Sequence, residues 1–312
     1  MTFPFELNFR ELRGLSFLLT SKSKAELYLL ATTFIWGNTF IAMKFILREA
    51  TPMLNVGIRF SVAALFFLVA FRGKLFPLSK STIIKGSILG LFLFLGFASQ
   101  NIGLQYTTAS KSAFITGLMV VFVPFLQIVI ERRSPKLGNI LGVVVVTAGL
   151  WLLTSPSGSE FNIGDALTVV CAIVFALYIV YLDVISKEMT TERLVFMQIA
   201  STGVFAWIAV AFFEHPIVSF SPLSLMSLLY LTFLATVLTT YVQTRFQKET
   251  TPTRAAIIFS VEPVLASISA YFVLGEQIGG LGIVGGGMIV AGVLISELSD
   301  NIPMLNKSFD VA

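Results

Sequence analysis

Ten apolar runs, each roughly 17–25 residues long and so able to cross a bilayer, recur along the 312-residue chain and leave it little choice of fold. They fall near 27–47, 53–71, 86–104, 112–130, 137–153, 166–182, 194–213, 223–244, 255–275 and 277–296. Backbone N–H and C=O groups in lipid must be satisfied within the protein, so continuous runs of this length predict membrane-spanning helices. The composition agrees: 12% of residues are charged and the mean hydropathy is +0.88, where a soluble chain carries about twice that charge. Breakers punctuate the short joints at Thr51-Pro52, Ser134-Pro135, Ser155-Pro156-Ser157-Gly158, Ser221-Pro222 and Thr251-Pro252. The fourth and fifth runs almost touch, as do the ninth and tenth, which predicts two tight helical hairpins.

Lysine and arginine are distributed with a clear bias. If the N-terminus is cytoplasmic, 17 of the 21 basic residues fall in cytoplasmic segments, and the joints on the other side keep only Arg48 and Lys111. That asymmetry predicts a multi-pass protein of the cell inner (plasma) membrane with both termini inside. Residues 1–25 then form a cytoplasmic tail, either a short helix on the membrane surface or a loosely ordered segment, and 298–312 form a second. No small-residue cleavage site follows a short apolar core, so no removable signal peptide is expected.

The two halves, 26–154 and 162–297, resemble each other at an offset of 143 residues. The offset pairs Lys111 with Arg254, Ala113 with Ala256, Ile140 with Ile283, Gly142 with Gly285 and Gly149 with Gly292. Five helices per half is an odd number, so the second copy runs through the membrane inverted. Inverted repeats place a substrate site near the midplane, between the halves.

Three formal charges lie inside the apolar runs: Lys44, Arg59 and Glu262. Intramembrane charges are costly and usually face a cavity or a partner. Glu262 is followed by Pro263, which cannot donate to the carbonyl of Phe259 and so predicts a bend, a candidate hinge. Glu262 itself is either a cavity carboxylate or a structural group bonded to a neighbouring helix. A guanidinium at Arg59 can hold a carboxylate or phosphate through two parallel bonds, or lock against Glu262. Lys44 is near enough to a helix end to snorkel. Trp36 and Asn38 lie mid-helix, Tyr178 and Gln198 fill the corresponding region of the second half, and Gln100 sits late in the third run; these are candidate cavity-lining residues, with aromatic packing as the alternative. Gly138/Gly142 and Gly282/Gly286 have the spacing of close helix packing, within a monomer or in a homodimer.

Whole classes of chemistry lack their parts. One cysteine, Cys171, and one histidine, His215, allow no disulfide framework, no thiolate metal site and no Ser-His-Asp triad. No phosphate-binding glycine loop precedes a lysine, so neither an ATPase module nor a cofactor is expected. The basic residues alternate with apolar runs, which argues against nucleic acid as a partner.

Taken in order, several short motifs resemble one family. The first run reads Phe34-Ile35-Trp36-Gly37-Asn38-Thr39-Phe40, and Arg59-Phe60 follows in the second. The third joint reads Gly103-Leu104-Gln105-Tyr106-Thr107-Thr108-Ala109-Ser110-Lys111, and Glu262-Pro263, Gly275-Glu276 and Gly285 come late. Together they resemble the EamA-type branch of the drug/metabolite transporter superfamily over about residues 26–297. The resemblance implies an all-α integral membrane protein of ten helices, in two inverted five-helix repeats around a central cavity. It also implies proton-coupled, exchange or facilitated movement of small metabolites, often amino-acid efflux. One departure is that the position matching Glu276 is Arg133, so Glu276 reads as an interfacial helix-end residue.

The reading is therefore a secondary transporter of small molecules, not an enzyme, most naturally an amino-acid or metabolite exporter working by alternating access. Arg59 and Lys44 would attract an anionic group and Glu262 a proton or cation. The alternatives are an importer or exchanger of larger anionic metabolites, such as nucleotide-like or S-adenosylmethionine-like compounds, and a non-transporting membrane receptor or assembly factor.

Overall fold

The computed structural model describes residues 20–153, 161–277 and 279–307. The N-terminal stretch before Thr20, the Ser155-Pro156-Ser157-Gly158 joint and the last five residues lie outside the described residues. Among the described residues there are ten apolar helices, nine of them long enough to cross a membrane and α5 shorter: α1 (Ser21–Ile46), α2 (Pro52–Leu75), α3 (Lys80–Leu104), α4 (Ala109–Glu131), α5 (Leu137–Leu153), α6 (Ile163–Ser186), α7 (Thr191–Phe213), α8 (Pro222–Glu249), α9 (Pro252–Leu274) and α10 (Gly280–Leu298). Among the described residues the only strand-like pairing is an isolated bridge between Ala50 and Val218.

Most helices begin several residues before their apolar runs, because a polar side chain outside the run caps the first turn. Thr20, Ser79, Thr108, Ser221 and Thr251 each accept a hydrogen bond from a first-turn N–H, and Asn162 forms a capping box with Asp165. The added turns carry charges that the apolar runs alone do not contain. Glu26, Lys111, Asp165, Asp183 and Arg254 all belong to the helices, and four of these five are buried.

The tight hairpins expected from the short joints do not form. A short joint limits only how far apart two helix ends can be, not whether the helices pack along their length. A groove lined by Val121, Phe125, Ile128, Val144 and Trp151 separates α4 from α5. Instead α5 packs along α10, its counterpart in the other half. A Cβ added to Gly149 would lie 2.7 Å from the carbonyl oxygen of Gly285, and one added to Gly142 would lie 2.9 Å from that of Gly292. Shifting each residue by 143 turns one contact into the other, so the offset is a two-fold relation in space. Likewise, Gly203 of α7 lies against Phe60 of α2, its own equivalent at that offset.

These glycines are required by backbone approach. A Cβ on Gly285 would meet the Leu153 nitrogen at 2.3 Å. Gly285→Ala should therefore lower stability by about 1–3 kcal/mol, the usual cost of overpacking. Gly287→Ala, where nothing lies within 4 Å, should be neutral; thermal unfolding in detergent compares the two.

On the face opposite the start of α1, carboxylates from neighbouring elements cap helix N-termini. Glu214 accepts from Met53 and Leu54 N–H at 2.8 and 2.9 Å, Glu276 from Ala109 and Ser110 N–H at 3.1 Å, and Glu49 from Ser221 N–H at 2.7 Å. Glu276 is thus a helix-end residue, as expected, and its carboxylate crosses from one repeat to cap the other. The Ser221 N–H, with the Ser224 and Ser221 hydroxyls, holds the Glu49 carboxyl below its usual range. A folded-state value below the unfolded one gives stability that is complete above the ordinary glutamate value and disappears as pH falls through the lowered one. Melting curves between neutral pH and pH 3 should therefore show a smaller acid-side loss in Glu49→Gln than in the parent.

Candidate functional site

Three helices break near the middle of the bundle, and the breaks meet. α9 stops at Phe259 and restarts at Glu262, with Ser260 and Val261 between its two segments. Pro263 sits in the first turn of the second segment, where its missing N–H costs least. α4 breaks at Leu118, the equivalent of Val261 at the 143-residue offset, without a proline. The two breaks touch, since a Cβ on Gly117 would lie 2.9 Å from Pro263 Cγ. α1 breaks at Gly37-Asn38 and approaches α9 so closely that a Cβ on Gly37 would lie 2.6 Å from Leu265 Cβ.

Between these breaks and α2, α3, α6 and α8 lies a cavity of about 70 Å³. Two of the three intramembrane charges, Arg59 and Glu262, are on its wall, and the third, Lys44, is not. Arg59 is 1% exposed. Its Nε donates to Thr236 Oγ1 at 2.6 Å and its Nη2 to the Ala235 carbonyl at 3.1 Å. The guanidinium also lies over the Phe97 ring at 4.6 Å and the Phe60 ring at 5.4 Å, an additional cation–π attraction. Its Nη1 is buried with no hydrogen-bond partner, and no carboxylate lies within 4.0 Å of it among the described residues. Glu262 is 9% exposed and lines the same cavity. It pairs with neither Arg59 nor any other cation among the described residues, so the expected lock between them is absent.

Trp36, Gln100 and Tyr178 complete part of the wall. Trp36 meets Phe259 edge to face at 5.1 Å, and Gln100 Nε2 donates to Thr116 Oγ1 at 3.2 Å. Tyr178 Oη donates to Gln198 Oε1 at 2.8 Å. Gln198 therefore stands behind the wall as the support of Tyr178, its own amide donating to Thr244 Oγ1 at 2.9 Å. Two expected lining residues are elsewhere. Lys44 snorkels to the end of α3, donating to the Leu104 and Thr107 carbonyls at 2.6 Å each, so it serves a helix terminus. Asn38 accepts from Ser269 Oγ at 2.8 Å and ties the α1 break to α9. Thr39, Thr116, Thr236, Thr240, Gln243 and the Phe97–Phe175 pair also line the space. Sequence patterning gave these no special weight, because threonine and phenylalanine are ordinary in membrane helices.

Two ion pairs, each with a buried acid, join one repeat to the other at opposite faces of the bundle. At the face where α1 begins, Arg254 of α9 reaches Glu26 of α1 at 2.9 Å. Asp300 at 2.5 Å and Glu297 at 3.0 Å also hold Arg254, and Asp300 in turn pairs with Lys22 and Lys136. At the opposite face Lys111 of α4 pairs with Asp165 of α6 at 2.7 Å, and Thr107 Oγ1 donates to Asp165 at 2.8 Å. Lys111 and Arg254 are equivalents at the 143-residue offset. Each binds an acid in the first two turns of the other repeat's first helix, so the two-fold relation extends to the ion pairs.

The comparisons with known proteins agree with this architecture. The profile of the EamA-like transporter family matches residues 23–155 and again 162–298. An uncharacterized transporter of Archaeoglobus fulgidus is 31% identical over 275 residues, covering 88% of this chain and 86% of that protein. Protein PagO of Salmonella typhimurium is 23% identical over 290 residues, covering 88% of this chain and 93% of PagO. One crystal structure superposes with a TM-score of 0.72 at 15% identity, over 89% of this chain and 97% of that one, a likeness of fold. With ten apolar helices, two-fold repeats and a family profile that covers both halves, the chain belongs to the EamA-like transporter family of the drug/metabolite transporter superfamily and is a membrane transporter of that type.

Proposed function

We propose that this transporter moves a small zwitterionic metabolite, of the amino-acid class, out of the cell across the plasma membrane. The observation that carries this reading is one cavity lined by an open guanidinium and an open carboxylate that do not pair with each other. A carboxylate near Arg59 Nη1 and an ammonium near Glu262 would satisfy both charges at once. In an empty site Glu262 can take up a proton instead, which supplies a route for coupling to a proton gradient. The basic residues concentrate at the face where α1 begins, so that face is assigned to the cytoplasm.

Alternating access follows from the paired latches. Both ion pairs are closed in this structure, one at each face of the bundle. Opening inward would separate Arg254 from Glu26, and opening outward would separate Lys111 from Asp165. The adjoining breaks in α4 and α9, with Pro263 between them, are the natural pivots.

Uptake and counterflow of a ¹⁴C-labelled mixture of L-amino acids into proteoliposomes test the assignment. Glu262→Gln should keep exchange of preloaded substrate but lose accumulation driven by a pH gradient. Unchanged gradient-driven transport in folded Glu262→Gln would remove the proton role. Full transport in both Arg59→Gln and Glu262→Gln would remove the site.

A further inference from the structure

The middle of α8, Tyr230–Leu238, is π-helical. The Thr239 N–H donates to Leu234 rather than to Ala235, so the Ala235 carbonyl loses the donor that an α-helix would direct at it. That carbonyl faces Arg59 and accepts from Nη2 at 3.1 Å. Thr236 Oγ1 donates its single proton to the Leu231 carbonyl at 2.7 Å, five residues back along the π turn. Its oxygen is then free to act only as an acceptor, and it takes Arg59 Nε at 2.6 Å. π-turns within α-helices are frequent at functional sites because they free backbone groups in this way.

Nε and Nη2 form the side-on fork with which arginine normally holds a carboxylate through two parallel bonds. Here that fork is fully occupied by the protein. We infer that Thr236 is a positioning residue, which commits the side-on edge of Arg59 to α8 and leaves the end-on edge, with Nη1, for a substrate carboxylate. This deepens the proposed substrate site and rests on it. It also moves the two-bond grip expected from the sequence to the end-on edge, where Nη1 and the second N–H of Nη2 lie side by side. A buried donor left unsatisfied is costly, and a ligand that fills it accounts for its persistence.

Thr236→Val keeps the branched shape and removes the acceptor, whereas Thr236→Ser keeps the hydroxyl. In proteoliposome uptake of the labelled L-amino-acid mixture, Thr236→Val should raise the half-saturation concentration by about tenfold, the weight of one hydrogen bond to a charged group. The maximal rate should change by less than about twofold, and Thr236→Ser should restore the parent value. An unchanged half-saturation in Thr236→Val, or failure of Thr236→Ser to rescue, would overturn the inference. A second arm needs no ligand and no transport. In ¹⁵N-arginine-labelled protein, the Arg59 Nε–H resonance, assigned by its loss in Arg59→Lys, should move in Thr236→Val and stay in place in Thr236→Ser. A resonance indifferent to both substitutions would contradict the seating of Arg59 by Thr236. Absence of uptake by the parent, with the resonance behaving as expected, would count against the proposed substrate class and leave the seating intact.

Discussion

Arg59→Met should abolish transport while leaving the protein as stable as the parent or more so. Most buried-residue substitutions do the opposite and destabilise by filling space badly or stranding a partner. Arg59 differs because it is a buried cation with no counter-ion among the described residues. Desolvating such a charge costs several kcal/mol, and the bonds to Thr236 and Ala235, with the Phe97 and Phe60 faces, offset only part of that. Methionine removes the charge and approximates the shape. The stranded acceptors are mild losses: Thr236 still bonds to Leu231, and carbonyls tolerate under-use better than donors. Transport should fall by about 10–100-fold or more, the weight of a charge-assisted bond to the substrate. A large fall in melting temperature with the loss of transport would instead make Arg59 a structural residue.

Neutralising the two latches should push the protein in opposite directions. In a Cys171→Ser background, a single cysteine at Thr116 on the cavity wall reports accessibility from either side of the membrane. Lys111→Met with Asp165→Asn should raise labelling from outside, and Arg254→Met with Glu26→Gln should raise labelling from inside. A shift of about tenfold corresponds to roughly 1.4 kcal/mol between the two open states. Double substitutions are preferred because removing one partner leaves a buried charge uncompensated and costs about 3–5 kcal/mol. Exchanging the partners, Lys111→Asp with Asp165→Lys, should return labelling toward the parent. If both double variants increased access from the same side, the latches would not be reciprocal gates.

What the sequence made legible follows from where free energy is largest. Ten spans are readable because each must bury an apolar surface of fixed length in lipid. Arg59 and Glu262 stand out because charge is rare there, and the glycines at the 143-residue offset carried the two-fold relation that α5 and α10 display. The latches were harder to see. Glu26 and Asp165 lie in the first two turns of capped helices, outside the apolar runs, where an acidic residue ordinarily marks a solvated helix end. Lys44 was misleading for a related reason: its position near a helix end allowed either cavity or terminus, and the Leu104 and Thr107 carbonyls decided it. The hairpin expectation failed because joint length says nothing of which faces match. The π turn in α8 was invisible, since Tyr230–Leu238 has the hydropathy of any membrane helix and the change is one of backbone register.

Thermal stabilisation of the purified protein by small ligands tests the central claim most directly. A ligand that binds only the folded state raises apparent stability as RT ln(1 + [L]/Kd), about 2.7 kcal/mol at a hundredfold excess over Kd. Among L-amino acids, their decarboxylated amines and their deaminated acids, only the intact zwitterions should stabilise the parent, and none should stabilise Arg59→Met. Equal stabilisation of Arg59→Met by the same zwitterion, or of the parent by the amine alone, would contradict a substrate carboxylate held at Arg59.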